Sequence, residues 1–227
     1  MVPRVIAIDG PAASGKSSTA KAVARALGWT HLDSGALYRA LTLAALDHLG
    51  GGAWIETRIV GLADELHVQL VLIGSEFRPS VGGVDVGEAI RTERVTARVS
   101  EVAALPAVRK WVNARQREAV QVHPTGVVVD GRDIGTVVFP DAPVKVFLTA
   151  TPEERVRRRI TQRGEGLDPE RVSRESVALA ARDEADSTRS VAPLKPAPDA
   201  LILDSTRLSF QEQVDRVVAL AREWALH

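Results

Sequence analysis

Residues 10–17 read Gly10-Pro-Ala-Ala-Ser-Gly15-Lys16-Ser17, directly after the apolar run Val5-Ile-Ala-Ile8. This is the phosphate-cradling pattern G-x-x-x-x-G-K-[ST] between a strand and a helix. Two glycines let the backbone curl so that its N–H groups converge on an anion. Lys16 is placed to reach β- and γ-phosphates, Ser17 to offer a hydroxyl to Mg²⁺, and the following helix aims its positive dipole end at the same point. That helix carries Ala20, Val23, Ala24 and Leu27 on one face and is expected to stop at Gly28.

Working outward, short continuous apolar runs alternate with helical patterns. Strands are expected at Arg4–Asp9, Thr30–Leu32, Val127–Asp130, Val144–Thr149 and Ala200–Leu203. Their composition suits burial on both faces, hence a five-stranded parallel sheet flanked by helices, an α/β fold. Ligands then belong beyond the carboxyl ends of the strands, where Gly10, Asp33 and Gly131 fall. Thr151-Pro-Glu-Glu154 and Ser209-Phe-Gln-Glu212 read as capping boxes. The second opens a helix with Phe210, Val214, Val217, Val218, Ala221 and Trp224 on one face. Residues 66–87 break the rhythm with alternating runs and four glycines, which predicts a small inserted antiparallel sheet. A long helical stretch interrupted near Pro106 follows it. The expected division is a core of residues 1–62 and 122–227, an acceptor-binding insertion at about 63–121 and a lid at about 155–170.

The 227 residues carry 29 basic and 29 acidic side chains and no cysteine. Disulfides, thiolate metal sites and cysteine nucleophiles are thereby excluded. Zero net charge gives no broad nucleic-acid footprint. No apolar run is long enough to span a membrane, and Met1-Val-Pro-Arg4 leads straight into a strand, so a cytoplasmic protein is expected. Arginine outnumbers lysine 24 to 5. A GC-rich genome explains most of that excess, so only arginines within motifs count.

Three such motifs favour a kinase whose acceptor is itself a phosphate. Asp33-Ser-Gly-Ala-Leu-Tyr-Arg39 places Ser34 and Arg39 at a helix start facing the phosphate loop. Val127-Val-Val-Asp130-Gly131-Arg132-Asp133 ends a buried strand in an acid suited to hold Mg²⁺ through water. Arg155, Arg157, Arg158, Arg159 and Arg163 crowd nine residues, with Arg182 and Arg189 beyond, which suits a mobile lid over phosphates with Gly164-Glu-Gly166 as a hinge. No general base is evident, and an anionic phosphate acceptor needs none. Kinases of AMP, UMP or shikimate, and a slowly hydrolysing nucleotide switch, remain alternatives on these residues alone.

The runs IDGPAASGKSS, LDSGALYR, GVDVGEAIRTERV, DGRDIGTVVFPDAPVKVFL, RSVAPLKPA and LDST resemble the bacterial cytidylate kinases (CMP/dCMP kinases) nearly end to end. The resemblance implies transfer of the ATP γ-phosphate to CMP or dCMP. Nothing in the sequence points strongly to a dimer interface, so a monomer is expected. Gly10, Pro11, Ala12, Ala13, Ser14, Gly15, Lys16, Ser17 and Ser18 would bind ATP. Ser17 would ligate Mg²⁺ directly, and Asp130 through water. Ser34, Arg39, Arg132 and Arg189 would grip the acceptor phosphate, Ser100, Arg109 and Asp133 would read cytosine, and Arg182 and Asp186 would meet the sugar. Lys16, Arg132, Arg158 and Arg189 are the expected catalytic set. A carboxylate accepts from the cytosine N4 amine and meets an acceptor in uracil.

Overall fold

The computed structural model describes residues 4–225. Five parallel strands run from the interior of the sheet to one of its edges in the order β2-β6-β1-β7-β8: β1 (Val5–Asp9), β2 (Thr30–Asp33), β6 (Val127–Gly131), β7 (Val144–Thr149) and β8 (Leu201–Asp204). These lie within one residue of the expected spans. Val5 pairs with Val127 and Asp9 with Gly131, so β1 and β6 end together. Every residue of both strands is buried. The two-residue period sends successive side chains into different cores. Ile6 and Ile8 pack with α1 (Lys16–Leu27) and α8 (Phe210–Ala225), whereas Val5 and Ala7 face Val120, Ile134 and Phe139.

The inserted sheet is present but is not separate. Strands β3 (Gln69–Ile73), β4 (Glu76–Val81) and β5 (Val84–Asp85) pair antiparallel. Strand β4 also pairs parallel to β2, His31 opposite Glu76 and Leu32 opposite Phe77, and so extends the main sheet. Helices α2 (Gly35–His48), α3 (Glu56–Glu65), α4 (Glu93–Ala104) and α5 (Pro106–Gln121) share one apolar cluster. The expected boundary at 62/63 falls inside α3, so the helices on its two sides are buried together. The pair α6 (Pro152–Gln162) and α7 (Pro169–Thr188) covers the remaining edge of the site.

Local signals set the helix ends. The Thr151 hydroxyl accepts from the Glu154 N–H, and Ser209 and Glu212 satisfy each other's backbone N–H groups. Pro106 opens α5, and Gly28 caps α1 in the left-handed region. The apolar face of α8 holds from Val214 to Ala221, but Phe210 is 50% exposed. It sits at the first helical position, ahead of the stretch that meets the sheet.

Trp29 lies flat against the backbone of Gly126, the residue leading into β6, and a Cβ there would collide with the indole ring. Overpacking of this kind costs about 1–3 kcal/mol. Gly126→Ala is therefore expected to lower the melting temperature by several degrees in a thermal denaturation followed by circular dichroism.

Candidate active site

The carboxyl ends of β1, β2 and β6 open onto a cleft of about 270 Å³. One wall is the 10–17 loop with the start of α1. Gly10 is required by close approach, since a Cβ would collide with the carbonyl oxygen of Leu148. Ala12, Ala13, Gly15, Lys16, Ser17 and Ser18 line the cleft; Gly10, Pro11 and Ser14 lie behind it. Lys16 bends back so that Nζ donates to the Pro11 carbonyl at 3.2 Å.

Asp130 closes the floor. Its Oδ2 accepts from the Ser17 hydroxyl at 2.5 Å and its Oδ1 from His31 Nε2 at 2.7 Å. Burial alone would raise its pKa. The His31 hydrogen bond, with the nearby Lys16 charge and the Ser17 hydroxyl, holds it below the ordinary value instead. Ser17 and Asp130 thus offer two hard oxygen donors side by side, a donor set that fits Mg²⁺.

The opposite wall gathers every residue expected to meet the acceptor. Ser34, Arg39, Ser100, Arg109, Arg132, Asp133, Arg182, Asp186 and Arg189 all line the same cleft. Buried Asp133 pairs with buried Arg109 and, at 3.3 Å, with Arg189 Nη2. Arg132 Nε donates to Asp186 Oδ2 at 2.7 Å, and its Nη1 to the Gly10 carbonyl at 3.1 Å. Arg39 is steadied by the Ile90 carbonyl and the Thr96 hydroxyl. Gln116, on α5, donates to the Ser34 carbonyl.

The arginine-rich helix divides its labour. Arg155 donates to the Ala12 carbonyl and to Asp183, whose other oxygen accepts from the Ala12 N–H. Arg158 bonds Glu154, the Ser14 carbonyl, and the hydroxyl and carbonyl of Ser205. It therefore braces the back of the loop and does not line the cleft, unlike the position expected of a residue touching the reacting phosphates. Arg159 lines it instead. Arg159 and Arg163 both pair with Glu175 on α7, and Arg157 pairs with Glu154 at the surface. The region read as a lid is thus cross-linked by ion pairs, with Gly164 ending α6 at a φ of 71°. Between α4 and α6–α7 the cleft widens into a space of about 1150 Å³.

Several contributors have no motif of their own. Asp9 accepts two backbone N–H groups from the turn after β6. His31, Gln116 and Asp183 hold site residues from outside, and Arg91, bonded to Asp33, lines the cleft. Asp9 could have been noticed as an acid ending an otherwise apolar strand. The others have ordinary sequence surroundings.

The family model described as cytidylate kinase matches residues 6–223. A cytidylate kinase of Azotobacter vinelandii is 49% identical over 96% of this chain and 94% of its own length. One of Pseudomonas putida is 51% identical over 94% and 93%. The chain belongs to the cytidylate kinase family. Among solved structures, a gluconokinase from Sinorhizobium meliloti covers 99% of the chain and is itself 95% covered, with a TM-score of 0.51 at 17% identity. At that identity the likeness speaks for the kinase fold alone.

In this cytidylate kinase family member the burial and crowding of positive charge work against the charged forms of Lys16 and Arg182. Burial, then the charge of Arg132, lowers the Lys16 pKa from 10.5 to about 7; burial and the neighbouring Arg132 and Arg39 lower that of Arg182 to about 10. Between pH 7 and 10.5 the folded state binds fewer protons at Lys16 than the unfolded chain. Stability from this group therefore rises with pH across that window, and the penalty is complete below pH 7. Lys16→Met removes the penalty. Without nucleotide it is expected to be more stable than the parent at pH 6, by about 1–3 kcal/mol. The difference should shrink as pH is raised toward 10.5, as read by denaturant unfolding at a series of pH values.

Proposed function

We propose that this chain transfers the γ-phosphate of ATP to CMP or dCMP, giving ADP and CDP or dCDP. The observation that carries the reading is the single cleft. A phosphate-cradling loop forms one wall, and an arginine-rich wall ending in a buried Arg109–Asp133 pair faces it. The family match does not favour the AMP, UMP, shikimate or switch alternatives.

The chain's task is positioning and charge neutralisation. The loop N–H groups and Lys16 hold the donor phosphates. Lys16, depressed to about 7 by burial, regains its charge beside a polyanion. Arg39, Arg132 and Arg189 with Ser34 take the acceptor phosphate. That group is already an anionic nucleophile, so no side chain has to remove a proton in the displacement. Ser17 and Asp130 would hold Mg²⁺, which when bound supplies further neutralisation of phosphate charge. Asp133 accepts from the N4 amine of cytosine, Arg109 donates to the acceptor edge beside it, and Ser100 completes the base site. Arg182 and Asp186 face the sugar. All these residues come from one chain, in keeping with a monomer, and a cytoplasmic location fits the substrates.

The test is an acceptor panel, with ADP release measured for CMP, dCMP, UMP, AMP and GMP. CMP and dCMP should lead, and a purine monophosphate in first place would sink the cytosine assignment. Asp133→Asn offers an amide in place of the acceptor. It should narrow the CMP:UMP ratio of kcat/KM by about tenfold, the worth of one hydrogen bond to a charged group.

A further inference from the structure

We propose that Asp9 is a positioning residue for base recognition, holding the turn that carries Arg132 and Asp133 in register with the phosphate loop. It rests on the reading that Asp133 meets the base.

Asp9 is the last residue of β1, is 4% exposed, and is bonded in sequence to Gly10, where the phosphate loop begins. Its Oδ1 accepts from the Ile134 N–H and its Oδ2 from the Gly135 N–H, both at 2.8 Å. Those N–H groups open the single π-helical turn Ile134–Val138, which follows Asp133 directly. On the other side, the Asp133 carbonyl accepts from Val137 and Val138. The backbone that follows the Asp133 Cα is therefore fixed through both its carbonyl and the next two amides. The direction in which the Asp133 side chain leaves the backbone follows from that.

The neighbouring contact acts in the same sense. The Gly10 carbonyl accepts from Arg132 Nη1. Residues 9 and 10 thus grip residues 132–135 at two points, one through a side chain and one through the backbone. Donor and acceptor walls, 122, 125 and 126 positions apart at these contacts, meet across one dipeptide.

Asp9 is an expensive way to cap a turn. Burial, with a smaller push from the Asp133 charge, raises its pKa from 3.8 to about 6, against the pull of the two backbone bonds. A buried charge that weakens the fold and organises a site is the signature of a functional constraint. Its like charge also disfavours any swing of Asp133 away from Arg109 and Arg189, toward the strand end.

The experiment compares the parent enzyme, Asp9→Asn and Asp133→Asn, measuring KM and kcat for CMP, UMP and ATP at neutral pH. An Asn at position 9 keeps one acceptor and turns an NH₂ group against the second backbone N–H. The expected result is a rise of about tenfold in KM for CMP, the worth of one charge-assisted bond. The CMP:UMP ratio of kcat/KM should fall with it, and KM for ATP should stay within about twofold. An unchanged CMP KM and ratio overturns the inference, and so does an equal rise in both nucleotide KM values, which would mark a general loosening of the fold. Should Asp9→Asn fail to give a cooperative melt, Asp9→Glu is read by the same criteria. Its extra methylene displaces the carboxylate from the Ile134 and Gly135 N–H groups with no change of charge. If Asp133→Asn leaves the ratio untouched, the base-reading role of Asp133 fails by itself, and the Asp9 inference falls with it.

Discussion

Eight cationic side chains line one cleft and only four carboxylates face them. In a partly dehydrated space that surplus works against folding, and the arrangement of the site follows from containing it. Each carboxylate is committed. Asp130 takes Ser17 and His31 with Lys16 nearby, Asp133 takes Arg109 and Arg189, Asp186 takes Arg132, and Asp33 takes Arg91. Burial, and after it the positive charge that remains uncompensated, shows in the lowered pKa values of Lys16 and Arg182. The chain as a whole is neutral, so the local excess reflects where the charges are placed and not how many there are. Phosphates are the ligands that would relieve it, which makes the strain a record of the function.

The pairs that contain the surplus also order the site. An arginine held by a buried carboxylate keeps its guanidinium where a phosphate can meet it, at lower entropic cost than a free side chain. Arg132, fixed by Asp186 and the Gly10 carbonyl, is the strongest instance. On α6 the helical period separates two jobs. Arg155 and Arg158, three apart, reach the back of the phosphate loop, whereas Arg159 and Arg163, four apart, reach Glu175. The loop is therefore stiffened from outside by cations and left open to anions on its inner face.

This division explains what could and could not be read from the sequence. Strands buried on both faces announce themselves as continuous apolar runs, and the phosphate loop, the Asp33–Arg39 run and the Asp130–Asp133 run each carry their chemistry within a few residues. The cleft-lining Ser34, Arg39, Arg132 and Asp133 were legible for that reason, whereas Ser100, Arg109 and Asp186 were reached only through the family resemblance. Arg158 was misplaced because nothing local distinguishes it from Arg159. The distinction lies in Ser14 and Ser205, 144 and 47 positions away. His31 and Asp183 were invisible on the same ground. Each acts on a partner about a hundred or more residues distant, Asp130 and Ala12. The annexation of β4 by β2 rests on only two residue pairs, and alternation within 66–87 cannot reveal it. Phe210 shows the converse error, a correct helical face extended one turn past the point where the sheet is met.

Helix α7 shows how far the two halves of the cleft are mechanically one. Arg182 and Asp186, four apart near its end, and Arg189, which caps it in an extended conformation, all line the cleft. Asp183, one residue past Arg182, grips the Ala12 N–H of the donor loop and the Arg155 that holds its carbonyl. A rotation of α7 that withdrew Arg182 and Asp186 from the cleft would also pull Asp183 from Ala12. The same helix cannot serve one substrate site while abandoning the other. Together with the grip of residues 9 and 10 on the turn after β6, this leaves the phosphate loop and the facing wall of the cleft tied at two separate places. An in-line transfer between two bound nucleotides demands that kind of fixed separation, because a displacement of about 1 Å is enough to spoil the attack geometry.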